Sequence, residues 1–97
     1  MAAYLVVELE VTSPSEYEEY KRLAQDSVAR YGGRYLARGG EVAALEGPPP
    51  ASRVVLLEFP SMPQLRAWWG SPEYALAKKV RQRSATAARF MAVAGAD

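Results

Sequence analysis

The sequence predicts an α+β fold of the ferredoxin-like kind, a βαββαβ protomer with a four-stranded antiparallel sheet. Three observations lead there. Val54–Phe59 is the densest apolar, β-branched run in the chain and reads as a central strand buried on both faces. Ala3–Val11 alternates with period two, its odd positions Ala3, Leu5, Val7, Leu9 and Val11 all apolar. Serine–proline pairs at Ser13-Pro14 and Ser71-Pro72 open helices after these strands, because proline tolerates the first helical position.

In the first strand the odd positions meet the core, and Tyr4, Val6, Glu8 and Glu10 lie on the opposite face. Ser13-Pro14-Ser15-Glu16 has the form of a capping box. Tyr17, Tyr20, Leu23, Ala24, Val28 and Tyr31 then fall at the three-four spacing of an amphipathic helix. Its acidic residues Glu16, Glu18 and Glu19 come early and its basic ones later, which suits the helix dipole. Gly32-Gly33 ends it.

Arg34–Arg38 reads as a short strand with Arg34, Leu36 and Arg38 on one face and Tyr35 and Ala37 on the other. Gly39-Gly40 marks a bulge or bend, Glu41–Glu46 a weak extended arm at a sheet edge, and Gly47 with Pro48, Pro49 and Pro50 a stiff exposed loop. Pro60 stops the central strand. Ser61 with Gln64 caps a short helix through Trp68 and Trp69, which Gly70 closes in the left-handed conformation. Glu73–Arg83 is helical, Thr86–Ala94 is an edge strand, and the tail after Gly95 frays.

Crossover handedness then places the first and third strands side by side and parallel in the centre, with the second and fourth outside. The helices cover one sheet face only. Tyr4, Val6, Val54 and Leu56 make the other face too apolar for water, so a second copy of the chain is its expected cover.

The 97 residues form one expected domain, 1–97, with 12 basic and 11 acidic residues and a formal net charge of +1. Such intermixed charge argues against nucleic-acid or anionic-membrane partners. No apolar run reaches the ~20 residues of a membrane span, and Glu8 and Glu10 break the first segment, so the expected location is cytoplasmic. Cysteine and histidine are both absent, which removes thiolate zinc sites, cysteine nucleophiles and the commonest general base and metal ligand. No glycine-rich dinucleotide loop is present either, so no cofactor and no resident metal are expected. An acylphosphatase-type reaction on this topology needs an asparagine, and the chain has none.

Several stretches together resemble a known family. They are Tyr17-x-x-Tyr20, Tyr31–Gly40, Leu45-Glu46-Gly47, Arg53–Ser61 and Trp68-x-x-Ser71-Pro72-Glu73-Tyr74, spread over nearly the whole chain. They are similar to the bacterial family known as domain of unknown function 1330. The resemblance implies a ferredoxin-like protomer paired face to face into a dimeric α/β barrel. That superfamily holds cofactor-free monooxygenases, muconolactone isomerases and haem-binding branches. The chain departs from the pattern at Pro48–Pro50, where relatives often carry an aromatic residue, and at Ala94, where they tend to carry glutamate.

Two constellations are candidates for chemistry. Glu8, Arg38 and Glu58 are expected together on the sheet face away from the helices, either as a general base with an anion-orienting arginine or as a structural ion-pair network. The aromatic residues Tyr17, Tyr20, Tyr31, Tyr35, Trp68, Trp69 and Tyr74 either pack the core or wall a pocket for a flat ligand. Trp68 and Tyr74 are the candidates for a pocket mouth, with Tyr17 in the wall and Ser71 at a helix start whose amides suit a carboxylate. Glu8 with Glu10 is a weak signal for a hard cation. The functional expectation is a homodimeric barrel that binds or transforms a small metabolite, isomerase- or monooxygenase-like. The alternative is a non-enzymatic binding or stress-associated module.

Overall fold

The computed structural model describes residues 1–96. Its elements are β1 (Ala3–Val11), α1 (Pro14–Arg30), β2 (Arg34–Arg38), β3 (Arg53–Phe59), α2 (Met62–Trp69), α3 (Pro72–Ser84) and β4 (Ala85–Ala94). The sheet order is β2-β3-β1-β4, so the second and fourth strands are the edges, as expected. β1 and β3 are neighbours but run antiparallel, not parallel. The crossover through α1 makes β2 run the same way as β1, and β3 then turns back against β2. It must therefore oppose β1 as well.

The odd residues of β1 and β3 face the helices and form the core: Leu5, Val7, Leu9, Val55, Leu57 and Phe59 are all buried. Their even neighbours Val6, Val54, Leu56 and Glu58 are half-exposed, so within one chain β3 is covered on a single face. Met91 and Val93 of β4 continue that open face at 43% and 49% exposure, opposite Val6 and Tyr4. The expectation of two buried faces is corrected for the single chain, because the helices lie on one side of the sheet only.

Local chemistry explains most boundaries. Ser61 and Ser71 cap α2 and α3, each Oγ accepting a backbone N–H, from Gln64 at 3.2 Å and from Tyr74 at 3.1 Å. Ser13 stands at the N-cap of α1 but makes no side-chain cap bond, so that capping box is not formed. α1 ends where Gly32 takes a φ of +77° and Gly33 donates its N–H back to the Val28 carbonyl. Gly70 is not left-handed: its φ is −91°, and its N–H reaches the Arg66 carbonyl in an ordinary last turn. Residues 41–46 form no strand. The Pro48–Pro50 loop is exposed, as expected. Gly95 extends the edge by donating to the Ala2 carbonyl, while the last residue of the tail, Asp97, lies outside the described residues.

Candidate functional site

One irregularity decides the geometry of the site. β2 pairs with β3 as Tyr35 opposite Leu57 and Ala37 opposite Leu56, leaving Leu36 as the extra residue of a bulge. A one-residue insertion flips every later side chain to the other face. Arg38, expected with Glu58 on the open face, sits instead opposite Val55 and on the helix side. Its guanidinium lies 4.3 Å from the Tyr35 ring centre and donates to Gln25 Oε1 of α1 at 3.0 Å.

The expected trio is thus not assembled. Glu58 pairs with Arg34 at 2.6 Å, and that guanidinium holds its carboxyl below the ordinary range. Glu8 faces Val54, four residues along β1 from the Tyr4–Glu58 pair, a separation of roughly 13 Å. The antiparallel direction of β1 and β3 sends the two carboxylates to opposite ends of the sheet. Glu8 lies 3.8 Å from Arg89, and Glu10 accepts both the backbone N–H and the hydroxyl of Ser52. Among the described residues no cluster of three or more acidic groups fit to hold a metal ion occurs. A double-mutant cycle on Arg38 and Glu58 should show additive effects in denaturant unfolding, because the groups lie on opposite faces. The same cycle on Arg34 and Glu58 should show coupling.

The aromatic residues build a slot between the sheet and α1. Tyr17, Tyr20, Tyr35 and Trp68 line it, with Val55, Leu57 and Phe90. It is narrow, about 30 Å³, room for a water or two. Its mouth is an open polar cleft of about 440 Å³ that includes Lys21, Arg38 and Arg53. Arg53, at a core-facing position of β3, donates from Nε to the Tyr17 hydroxyl at 3.1 Å. Gly39 makes that placement possible. Its φ of +72° suits glycine, and a side chain there would collide with the Arg53 guanidinium.

Tyr17 and Trp68 lie along the slot, while Tyr74 and Ser71 are buried outside its lining. Neither Trp68 nor Tyr74 is at a mouth. Trp68 stacks on Tyr74 with ring centres 4.3 Å apart, and its Nε1 donates to Ser27 Oγ at 3.0 Å. Ser71 is occupied as a cap, its hydroxyl donating in turn to the Trp68 carbonyl. Arg53, Lys21 and Arg81 are the charged neighbours that the sequence reading passed over. The signal for Arg53 was present, a cation in register with Val55, Leu57 and Phe59 on the core face.

Burial pushes the hydroxyl pKa of Tyr17, Tyr20, Tyr35 and Tyr74 up from the ordinary 10.0, with Arg53 and Arg38 pulling back on Tyr17 and Tyr35 respectively. The folded chain therefore keeps protons that the unfolded chain releases. This stability is whole below the unfolded pKa and falls as pH rises beyond it. The unfolding midpoint should drop above pH ~10. Tyr20→Phe should make that drop shallower.

The profile of the family described as "Domain of unknown function (DUF1330)" matches residues 2–96. A protein of unknown function from Rhodopseudomonas palustris, RPA0582, is similar in structure with a TM-score of 0.75 and 22% identity, covering 99% of this chain and 83% of that one. SnoaB of Streptomyces nogalater, described as a cofactor-independent oxygenase, matches with a TM-score of 0.70 and 12% identity, over 99% of this chain and 94% of its own. A dimeric ferredoxin-like protein of unknown function from Thermobifida fusca matches at 0.64 and 17% identity, over 99% and 91%. These likenesses show the fold. No curated protein matches the chain significantly.

Proposed function

The chain belongs to the DUF1330 family, and on that premise we propose that it is a homodimeric, cofactor-free barrel protein acting on a small, planar, acidic metabolite. The observation that carries this reading is the slot itself: five aromatic residues leading to a mouth of Lys21, Arg38 and Arg53. Arg53 is part-buried at a core-facing position of β3, and Arg38 stands exposed beside it at the rim of the slot. Flat rings fit between tyrosine and tryptophan faces, and guanidinium groups hold a carboxylate in a fixed fork. Because the slot is far below the volume of a metabolite site, ligand entry requires the flexible Lys21, Arg38 and Arg53 side chains to move aside. The chemistry is isomerase- or monooxygenase-like, a reading supported by the likeness to the cofactor-independent oxygenase SnoaB.

Self-association is supported by the apolar open face of the sheet and by the likeness to a protein described as dimeric. No helix of the described residues is long and apolar enough to cross a membrane, and a cytoplasmic site of action fits the even charge balance. With no cysteine or histidine to ligate iron, the protein should be purified without a visible absorption band. A persistent Soret or flavin band would overturn the cofactor-free reading.

The narrowness of the slot favours a second reading, a non-enzymatic homodimeric binding or stress-associated module whose shared sheet is its purpose. A thermal-shift screen against planar carboxylates separates the two. A ligand at 100 times its Kd adds about 2.7 kcal/mol to stability. That shift should vanish in Arg53→Met. An absence of any shift across the set would leave the binding module as the surviving reading.

A further inference from the structure

Arg81 is 6% exposed, on the face of α3 that also carries Tyr74 and Ala77. An arginine stays charged at any working pH, so its burial calls for an anion. Among the described residues no carboxylate pairs with it: the ion pairs formed are Lys21–Glu18, Arg34–Glu58, Arg83–Glu16 and Arg89–Glu8. Its Nε is buried with no hydrogen-bond partner. Uncharged compensation comes from the face of Phe90, whose ring centre lies 4.3 Å from the guanidinium carbon, and from the neighbouring Tyr74 hydroxyl.

This unpartnered cation sits beside the slot. Phe90 and Tyr20 both line the slot, and the Tyr20 hydroxyl lies 3.1 Å from that of Tyr74. The Arg81 charge favours the ionised form of Tyr17, Tyr20 and Tyr74 alike, yet burial keeps all three neutral, so none of them supplies the missing anion. The two neutral hydroxyls bond each other, and among the described residues the buried guanidinium meets no acceptor of matching charge.

We infer that Arg81 and Tyr74, just behind the slot lining, form with Tyr20 an inner oxyanion subsite, which takes the carboxylate, phenolate or enolate oxygen of a planar ligand. This deepens the slot reading and rests on it. The mouth cations Arg38 and Arg53 draw an acidic ligand in, and Arg81 holds the charged oxygen once water is excluded. The order of events follows from burial: the mouth is open to solvent and the Arg81 guanidinium is not.

The test compares two probes of equal shape, 2-naphthoate and its uncharged isostere 2-naphthamide, by titration calorimetry. Wild type should bind the carboxylate more tightly than the amide. Arg81→Met, which keeps an aliphatic stem on Phe90, should lower that preference by about 10- to 100-fold, with the larger loss on the carboxylate. Arg81→Lys should retain most of the preference, and Tyr74→Phe should lose part of it. Without ligand, Arg81→Met should melt no earlier than wild type, since it removes an unpaired buried charge. If the preference survives Arg81→Met but is lost in Arg53→Met, the ligand charge sits at the mouth. The inner subsite is then overturned while the slot reading stands. If Arg81→Met does not fold, the guanidinium holds the structure together and the inference is overturned. If neither probe binds wild type, the slot reading fails and takes the subsite with it.

Discussion

Trp68→Ala is expected to cost about 3–5 kcal/mol of folding stability, the largest loss of any single truncation in this chain. The indole is 2% exposed and lies between Phe59 and Tyr74, with ring centres 5.3 and 4.3 Å away. Three contributions add. Apolar area returns to water, a cavity opens at the junction of α2, α3 and the sheet, and the hydroxyl of buried Ser27 loses the donor it faces. For a domain of this size each kcal/mol lowers Tm by roughly 4–8 °C, and total stability is of the order of 5–15 kcal/mol. The variant should therefore be barely folded at room temperature. Denaturant unfolding reads the effect as a lower midpoint at unchanged slope. A loss below about 1 kcal/mol would show that the aromatic cluster is not the centre of the core.

The second large effect is expected at Leu56→Asp, which should dissociate the proposed homodimer or unfold the chain. Leu56 stands on the open sheet face between Val6 and Ala37. In an isolated protomer that position is half-exposed, where an aspartate would be tolerated with little loss. Buried against a partner sheet, the same carboxylate would lack a counter-charge and cost far more. Sedimentation of wild type and variant distinguishes the cases. A wild-type protein that is a stable monomer at micromolar concentration would remove the dimer. A dimeric wild type with an unaffected variant would move the interface elsewhere.

Element type and order were legible because they depend on neighbours in sequence. The period-two run of Ala3–Val11 and the Ser61 and Ser71 caps each act within one or two turns of chain, and the structure forms them where expected. Tyr17, Tyr20, Ala24 and Val28 were likewise readable as the buried stripe of α1, because 3.6-residue spacing alone aligns them. Ser13 shows the limit: its motif marks where α1 starts, yet the cap bond is not made.

The candidate site was legible only in its residue types. The aromatic residues and Arg38 were legible as candidates, but Arg53, Arg81 and the grouping were not. Glu8, Arg38 and Glu58 are contiguous only in a sheet where β1 and β3 run parallel and β2 is regular. Strand direction comes from the path of the whole chain, and the bulge at Leu36 comes from fitting β2 to β3. Each involves residues distant in sequence. Together they moved Arg38 to the helix side, gave Glu58 to Arg34, and left Glu8 at the other end of the sheet.

What the sequence by itself determined is the α+β class, the element boundaries, the core face of each regular strand and the absence of cysteine and histidine chemistry. Those follow from period, caps and composition, which are local or additive properties. Tertiary structure alone decided that Arg53 reaches Tyr17 across the slot and that Arg81 is buried with no counter-ion among the described residues. A charge on a helix or strand reads as solvent-facing until the packing of distant elements determines what surrounds it. At Arg81 the surrounding elements are α1 and β4, through Tyr20 and Phe90, more than 50 residues apart in the chain.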